Sequence, residues 1–282
     1  MFGTKGTGVG RKRRAGDALA LLALLAYTAF ALFPLLWIFL MSLKTQRDVI
    51  ATPPKFIFTP TFQNYAEVLS RPDFLVPLKN TVIVTLGALL LSVIIGLPAA
   101  YALARMEFRG KEDLAFSFLS LRFAPELIVL LPLFVIYQSF GLYDTYIGLI
   151  LVYQLITFPL MVWMMRSFLE DVPKELEEAV QIDGGSWFTS FRMIVTRIAL
   201  PGLAASCVLS FIYAWNHFVF ALVLASDRTV ITGGLLQFIS FEQIQWGAMA
   251  AGVMLAIIPE FIIAVFALRY MIRGLTAGTV KG

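Results

Sequence analysis

The sequence predicts an all-α integral membrane protein of about six transmembrane helices, with a helix–glycine–helix loop on its cytoplasmic side. Apolar residues make up 59% of the 282 residues and charged residues only 14%, whereas soluble domains carry about a quarter charged residues. Mean hydropathy is +0.83. Several segments reach the roughly 20 apolar residues that a helix needs to cross a bilayer. We expect helices, because a helix satisfies its own backbone hydrogen bonds within lipid.

The predicted organisation is an N-terminal tail, residues 1–17, followed by one transmembrane domain, residues 18–282. The six spans are predicted at Ala18–Met41, Asn80–Arg105, Leu114–Ser139, Tyr146–Phe168, Ala199–Ala225 and Gly247–Arg269. The domain includes a polar loop, residues 167–197, and a C-terminal tail, residues 270–282. Arg11–Arg14 before the first apolar run resembles the start of a signal peptide, but the run is too long for one and predicts a retained helix.

The distribution of lysine and arginine predicts the orientation of the spans. If the N-terminus is cytoplasmic, fifteen of these residues lie on the cytoplasmic side and six on the other side, as the positive-inside rule requires. We therefore expect a multi-pass protein of the plasma (inner) membrane with both termini and the polar loop in the cytoplasm. The net charge of +4 follows from this topology and indicates no nucleic-acid partner.

The polar loop is the most informative segment of the chain. Asp171 is a candidate N-cap for a helix that ends at Gly184, and Ser186 is a candidate cap for a second, amphipathic helix. One interpretation is a solvated helix that covers the floor of the bundle, and the other is a docking surface for a partner. The candidate docking residues are Glu177, Glu178, Ala179, Asp183, Gly184, Trp187 and Phe191.

Polar groups inside the predicted spans are candidates for a solute path, because charges in the bilayer usually face a cavity or another helix. Arg122 and Glu126 stand four residues apart, which predicts one helix face and either a solute path or a structural ion pair. Asn216 and His217 are the other two candidates, and for His217 a neutral, hydrogen-bonded side chain is the favoured alternative. Glu260 is expected to pair with a neighbouring helix.

Several of these motifs resemble those of a known family. Glu178-Ala179-Val180-x3-Gly184 resembles the "EAA" loop of permease subunits of binding-protein-dependent ABC importers, and Ile194 stands in register with the Ile-x-Leu-Pro that follows in that family. Thr196-Arg197 replace its Leu-Pro. Further stretches resemble the second permease of maltose and glycerol-phosphate importers, the carbohydrate type: Phe33–Trp37, Asn64-Tyr65, Ala99–Arg105, Ala214-Trp215-Asn216 and Arg273–Gly282.

The resemblance implies a set of partners and contacts. The partners would be a second permease subunit in a heterodimer, a cytoplasmic ATPase dimer, an extracytoplasmic solute-binding protein and a carbohydrate-like solute. The loop from Glu178 to Gly184 would lie in a cleft of one ATPase subunit, and the C-terminal tail would reach the ATPase dimer interface through Thr276, Gly278 and Lys281. ATP and Mg²⁺ would bind in the ATPase, since the glycine-rich N-terminus lacks the Gly-Lys-Ser/Thr of a phosphate loop.

The predicted function is therefore a permease subunit of an ABC importer that forms half of the translocation path for a sugar, a polyol or a related carbohydrate. We expect no catalytic residues, no metal and no cofactor bound by this chain, which is not itself an enzyme. The alternative is an ion-coupled secondary transporter that works without an ATPase. An intramembrane enzyme is disfavoured, because one His and one Cys offer no paired catalytic motif.

Overall fold

The computed structural model describes residues 8–123, 125–239 and 244–277. Within these ranges the chain forms helices joined by turns and short extended stretches, which confirms the all-α prediction. The helices are α1 (Gly8–Ser42), α2 (Gln46–Val49), α3 (Gln63–Ser70), α4 (Pro72–Arg105), α5 (Lys111–Ser120), α6 (Glu126–Ser139), α7 (Tyr146–Val152), α8 (Gln154–Glu170), α9 (Glu175–Ile182), α10 (Trp187–Met193), α11 (Leu200–Asn216), α12 (Val219–Leu224), α13 (Ile231–Gly234) and α14 (Trp246–Ala277).

The predicted spans correspond to single helices, to bent pairs of helices and to one shorter helix. Three stretches are long and apolar enough to cross a membrane alone: Asp17–Ser42, Pro72–Arg105 and Trp246–Phe266. The pair α7 and α8, bent by 44°, and the pair formed by α5 and α6 can each make one further span, and α11 is a shorter apolar helix. α1 already begins at Gly8, inside the predicted tail.

The third predicted span is not one continuous helix. A 3₁₀ turn, Leu121–Phe123, follows α5, and Pro125 lies outside α6 as its N-cap. Pro125 itself has an extended backbone, with a ψ of 117°, so α6 begins only after it. The prediction that Arg122 and Glu126 share one helix face is therefore wrong. By contrast, four other prolines lie inside helices that continue through them: Pro98, Pro132, Pro159 and Pro259.

The chain divides into two compact units. The first comprises residues 1–68 and 241–254, and in it the loop after α1 is fastened to the end of that helix. The Asn64 side-chain amide donates to the carbonyl oxygens of Ser42 and Lys44, each at 2.8 Å, and so satisfies two groups near a helix C-terminus. Lys55 Nζ lies 2.7 Å from Asp48 Oδ1 and, as a hydrogen-bond donor, lowers the pKa of that carboxyl group.

The second unit comprises residues 69–240 and 255–282 and is built around α4, α8 and α11. A Cβ on Gly202 of α11 would overlap the ring of Phe168 on α8, so glycine permits this close approach of the two helices. One apolar cluster includes Leu103, Met165, Leu169 and Ile194 and lies at the end of α4 nearest the polar loop. A second includes Val84, Tyr153, Leu224 and Val230 and lies nearer the other end of α4.

Candidate functional site

The polar loop folds as two short helices, α9 and α10, joined by a tight turn. The side chain of Ser186 accepts a hydrogen bond from the Thr189 amide at 3.2 Å, which confirms it as the cap of α10. The prediction that Asp171 caps α9 is wrong. α8 runs on to Glu170, so Asp171 has helical backbone angles as the C-cap of α8, whereas an N-cap needs extended angles.

Two glycines form the turn between α9 and α10. Gly184 has a φ of +83°, in the left-handed region that a glycine commonly adopts just after a helix. The Gly185 amide donates to the Val180 carbonyl at 2.8 Å, and a Cβ on Gly185 would lie only 2.7 Å from that oxygen. Gly184 is therefore required by its backbone angle and Gly185 by the close approach of the chain.

The outer face of the loop exposes apolar side chains. Ile182 is 86% exposed, Trp187 57% and Phe188 71%. Of the predicted docking residues, Glu178, Ala179, Asp183 and Gly184 are exposed as well. We define the docking face as Glu178, Ala179, Ile182, Asp183, Gly184, Trp187 and Phe188. An apolar surface of this kind, rimmed by acids, is typical of an interaction site.

The inner face of the loop is bonded to the end of α4. Glu177 is 4% exposed, although the sequence groups it with the docking residues. Its Oε1 lies 2.5 Å from Arg105 Nε, and its Oε2 accepts from the Tyr101 hydroxyl at 2.7 Å. Arg105 Nη2 also donates to the Val172 carbonyl at 2.9 Å. Glu177 is thus an internal contact between α9 and α4.

Phe191 of α10 reaches the same place. It is half-buried, and its ring lies edge-on to the Tyr101 ring with 5.0 Å between centroids. Sequence reasoning missed Tyr101 and Arg105 as partners of the loop. Their spacing of four residues could have indicated this role. It places a hydroxyl donor and a cation on one helix face at the end of a predicted span.

A cavity of about 190 Å³ in the second unit brings together three of the four candidate solute-path residues, Arg122, Glu126 and His217. Arg122 lies over the Tyr213 ring, 5.1 Å from its centroid. Glu126 Oε1 lies 3.8 Å from His217 Nδ1. No ion pair joins Arg122 to Glu126, both of which the structure describes. Tyr213 is a polar wall residue that the sequence did not single out.

Asn216 lies outside this cavity and faces α14. Its side-chain amide donates to Glu260 Oε1 at 2.5 Å, so Glu260 contacts a neighbouring helix, as expected. His217 packs against aromatic rings, with its centroid 4.6 Å from that of Phe220. Its Nε2 is buried without a hydrogen-bond partner among the described residues.

Two further features named from the sequence are the C-terminal tail residues and the Thr196-Arg197 departure from the family's motif. Thr276 falls in the last turn of α14, while Gly278 and Lys281 lie outside the described residues. After α10, residues Ile194–Ile198 form a π turn that leads to α11. This turn coincides with Thr196-Arg197, where the sequence departs from the family's motif.

The chain also resembles known proteins over most of its length. Residues 6–276 match the family described as "Binding-protein-dependent transport system inner membrane component". The trehalose transport system permease protein SugB of Mycobacterium tuberculosis is 35% identical over 89% of this chain and 93% of its own. The trehalose/maltose transport system permease protein MalG of Thermococcus litoralis is also 35% identical, over 89% of this chain and 92% of its own.

A solved structure shows the same fold. It is the crystal structure of a bacterial ABC transporter involved in the import of the acidic polysaccharide alginate, one chain of which superimposes with a TM-score of 0.76 at 23% identity. That match covers 96% of this chain and 99% of the other.

The chain therefore belongs to the inner membrane components of binding-protein-dependent transport systems. It is a multi-pass membrane permease of an ABC importer, as predicted. Members of this family are transport components, which confirms the prediction that the chain is not itself an enzyme.

Proposed function

We propose that this permease imports a sugar or a related polyol together with a second permease subunit, a cytoplasmic ATPase dimer and an extracytoplasmic solute-binding protein. The names of the relatives support the solute class, since SugB is a trehalose permease protein and the MalG relative a trehalose/maltose one. ATP and Mg²⁺ bind in the ATPase, and the hydrolysis of this ATP drives the transport. Both termini and the polar loop face the cytoplasm, where the positive-inside rule puts the basic residues.

The observation that supports an ATPase partner is the docking face, which is exposed on a polar loop of fixed conformation. Ile182, Trp187 and Phe188 present apolar surface that nothing in the described part of the chain covers. The two glycines and the Ser186 cap fix the angle between α9 and α10. A partner that fits this face can therefore bias the permease between outward-open and inward-open states through its contacts.

Purification of the tagged chain from its native membrane in a mild detergent tests the partnership. We expect mass spectrometry to identify a second permease and an ATPase with a Walker motif at fixed ratios, and uptake into reconstituted vesicles to require ATP. A lone chain or a homodimer that transports solute without ATP, across several detergents, would instead establish an ion-coupled secondary transporter.

The solute path is proposed to run along the cavity lined by Arg122 and Glu126. Both side chains are exposed within the third predicted span, where contact with lipid is costly for a charge. They therefore face a water-filled passage shared with the second permease. The Glu126 carboxylate can accept hydrogen bonds from sugar hydroxyls, and the Tyr213 ring offers an apolar face beside it.

Replacement of Glu126 by Gln tests the solute path. A hydrogen bond to a charged group contributes about 1.5–3 kcal/mol, so we expect the KM for uptake to rise about tenfold or more, with complex assembly unchanged. Uptake kinetics in reconstituted vesicles measure this change. Glu107→Gln is the matched control, because the Glu107 side chain is 83% exposed outside the cavity. If Glu126→Gln and Glu107→Gln had the same uptake kinetics, Glu126 would not line the solute path.

A further inference from the structure

Two of the predicted spans are interrupted beside the same cavity. The third is interrupted between α5 and α6, and the fifth between α11, which ends at Asn216, and α12, which begins at Val219. Arg122 and Glu126 flank the first interruption, His217 lies in the second, and all three line the cavity. Non-helical backbone at membrane depth is tolerated where it is buried in protein or lines a water-filled space. Two interruptions at one cavity therefore indicate a polar interior that a hydrated solute can enter.

The guanidinium of Arg122 is held in place in this cavity without being neutralised. It lies over the Tyr213 ring, 5.1 Å from the centroid, where the cation is attracted to the aromatic face. Among the residues that the structure describes, no carboxylate lies within ion-pair distance of it and no group accepts a hydrogen bond from it. A charge without a partner is costly within a membrane span. The cavity is therefore suited to an anion that comes from outside this chain.

The carboxylate of Glu126 does not supply that anion. Its Oε1 lies 3.8 Å from His217 Nδ1, and it forms no ion pair with the described side chain of Arg122. An ionised carboxylate only accepts hydrogen bonds, whereas a guanidinium only donates them, from a planar fork of N–H groups. The cavity thus offers an acceptor for hydroxyl groups at Glu126 and a donor for an anionic group at Arg122.

The size of the cavity limits how much of a solute this chain can hold. Its volume of about 190 Å³ is smaller than the roughly 300–1,000 Å³ of most small-molecule pockets. We therefore expect the cavity to hold one sugar ring, with the rest of the solute lying in the part of the path that the second permease forms.

We propose that the solute is an acidic sugar, whose carboxylate is bound by Arg122 while its neighbouring hydroxyl groups donate to Glu126. Arg122 is then the residue that determines specificity for an anionic sugar over a neutral one. A guanidinium and a carboxylate pair through two parallel hydrogen bonds, which gives this contact both strength and a defined geometry. The proposal rests on the proposed function, because it names the solute class of the path proposed there.

The test measures the binding of two small glycosides to the complex of this chain with its second permease and ATPase in lipid nanodiscs. The probes are methyl β-glucuronide and methyl β-glucoside, which differ only in a carboxylate that replaces a hydroxymethyl group. Saturation-transfer NMR without the solute-binding protein gives the Kd of each probe, so the selectivity of that protein does not enter. We expect the wild type to bind the glucuronide about tenfold more tightly or better, as hydrogen bonds to a charged group allow.

Variants of the charged residues assign this preference to Arg122. Arg122→Gln should lower the affinity for the glucuronide to that for the glucoside, whereas Arg122→Lys, which keeps the charge without the fork, should keep part of the preference. Arg109→Gln is the matched control, because it removes the same charge from an exposed residue that does not line the cavity. It should keep the full preference. Glu126→Gln should weaken the binding of both glycosides and keep the preference as well.

Three results would overturn the assignment of an acidic sugar. These are equal affinities of the wild type for the two glycosides, a preference that survives in Arg122→Gln, and an equal loss of preference in Arg109→Gln. Equal affinities are the result expected if a carboxylate of the second permease neutralises Arg122. A wild-type complex that binds neither glycoside, together with unchanged uptake kinetics in Glu126→Gln, would instead refute the solute path of the proposed function, so the two failures are distinguishable.

Discussion

Gly184→Val is expected to abolish most uptake while leaving the chain in the membrane. A β-branched residue is strained at a φ of +83°, with a cost of at least about 1–2 kcal/mol. The turn relieves that strain by opening, which changes the angle between α9 and α10 and separates Ile182 from Trp187 on the docking face. We expect uptake to fall at least about tenfold and the ATPase subunits to be lost on purification, with unchanged amounts of the chain in membranes.

Gly110→Val is the matched control for this experiment. Gly110 has a φ of +81°, and a Cβ there would meet no atom within 4 Å, as at Gly184. The two substitutions therefore impose similar backbone strain in open surroundings, in the loop before α5 and in the polar loop. Normal uptake by Gly184→Val, or equal losses in both variants, would show that the shape of the turn between α9 and α10 does not matter for docking.

The turn could be predicted from the sequence because its determinants are local. Gly184 follows an amphipathic stretch and Ser186 precedes another, and the backbone preferences of these residue types fix a helix end and a helix start. The number and order of the spans are predictable for a similar reason, since continuous apolar runs of sufficient length allow few alternatives in lipid.

The inward direction of Glu177 could not be predicted in this way. Five other acids lie near it between Glu170 and Asp183, and helical spacing alone does not say which of them faces the bundle. That choice depends on where Arg105 and Tyr101 arrive, which is a tertiary contact over more than 70 positions of sequence. The break at Pro125 is a similar case, because proline interrupts the third span but α4, α8 and α14 continue through theirs.

The second prediction of a large effect concerns the buried ion pair between Arg105, at the C-terminal end of α4, and Glu177 of α9. Arg105→Leu leaves the Glu177 carboxylate buried without its cation, and such a loss destabilises by about 3–5 kcal/mol. We expect the midpoint of thermal unfolding of the purified chain in detergent to fall markedly. Arg166→Leu is the control, because Arg166 pairs with Glu112 and Glu170, whose side chains are 72% and 47% exposed. Water solvates these two carboxylates when the cation is removed, so we expect a smaller fall than for Arg105→Leu.

The double variant Arg105→Leu/Glu177→Leu separates the cost of a stranded charge from the worth of the pair. With both charges removed, apolar side chains of adequate size fill the site, and such replacements are often neutral or stabilising. We therefore expect the double variant to regain most of the stability lost in Arg105→Leu, while uptake stays low because α9 is no longer fastened to α4. A double variant that regains uptake together with stability would show that the pair maintains the fold alone and that apolar packing between α9 and α4 is enough to transmit movement.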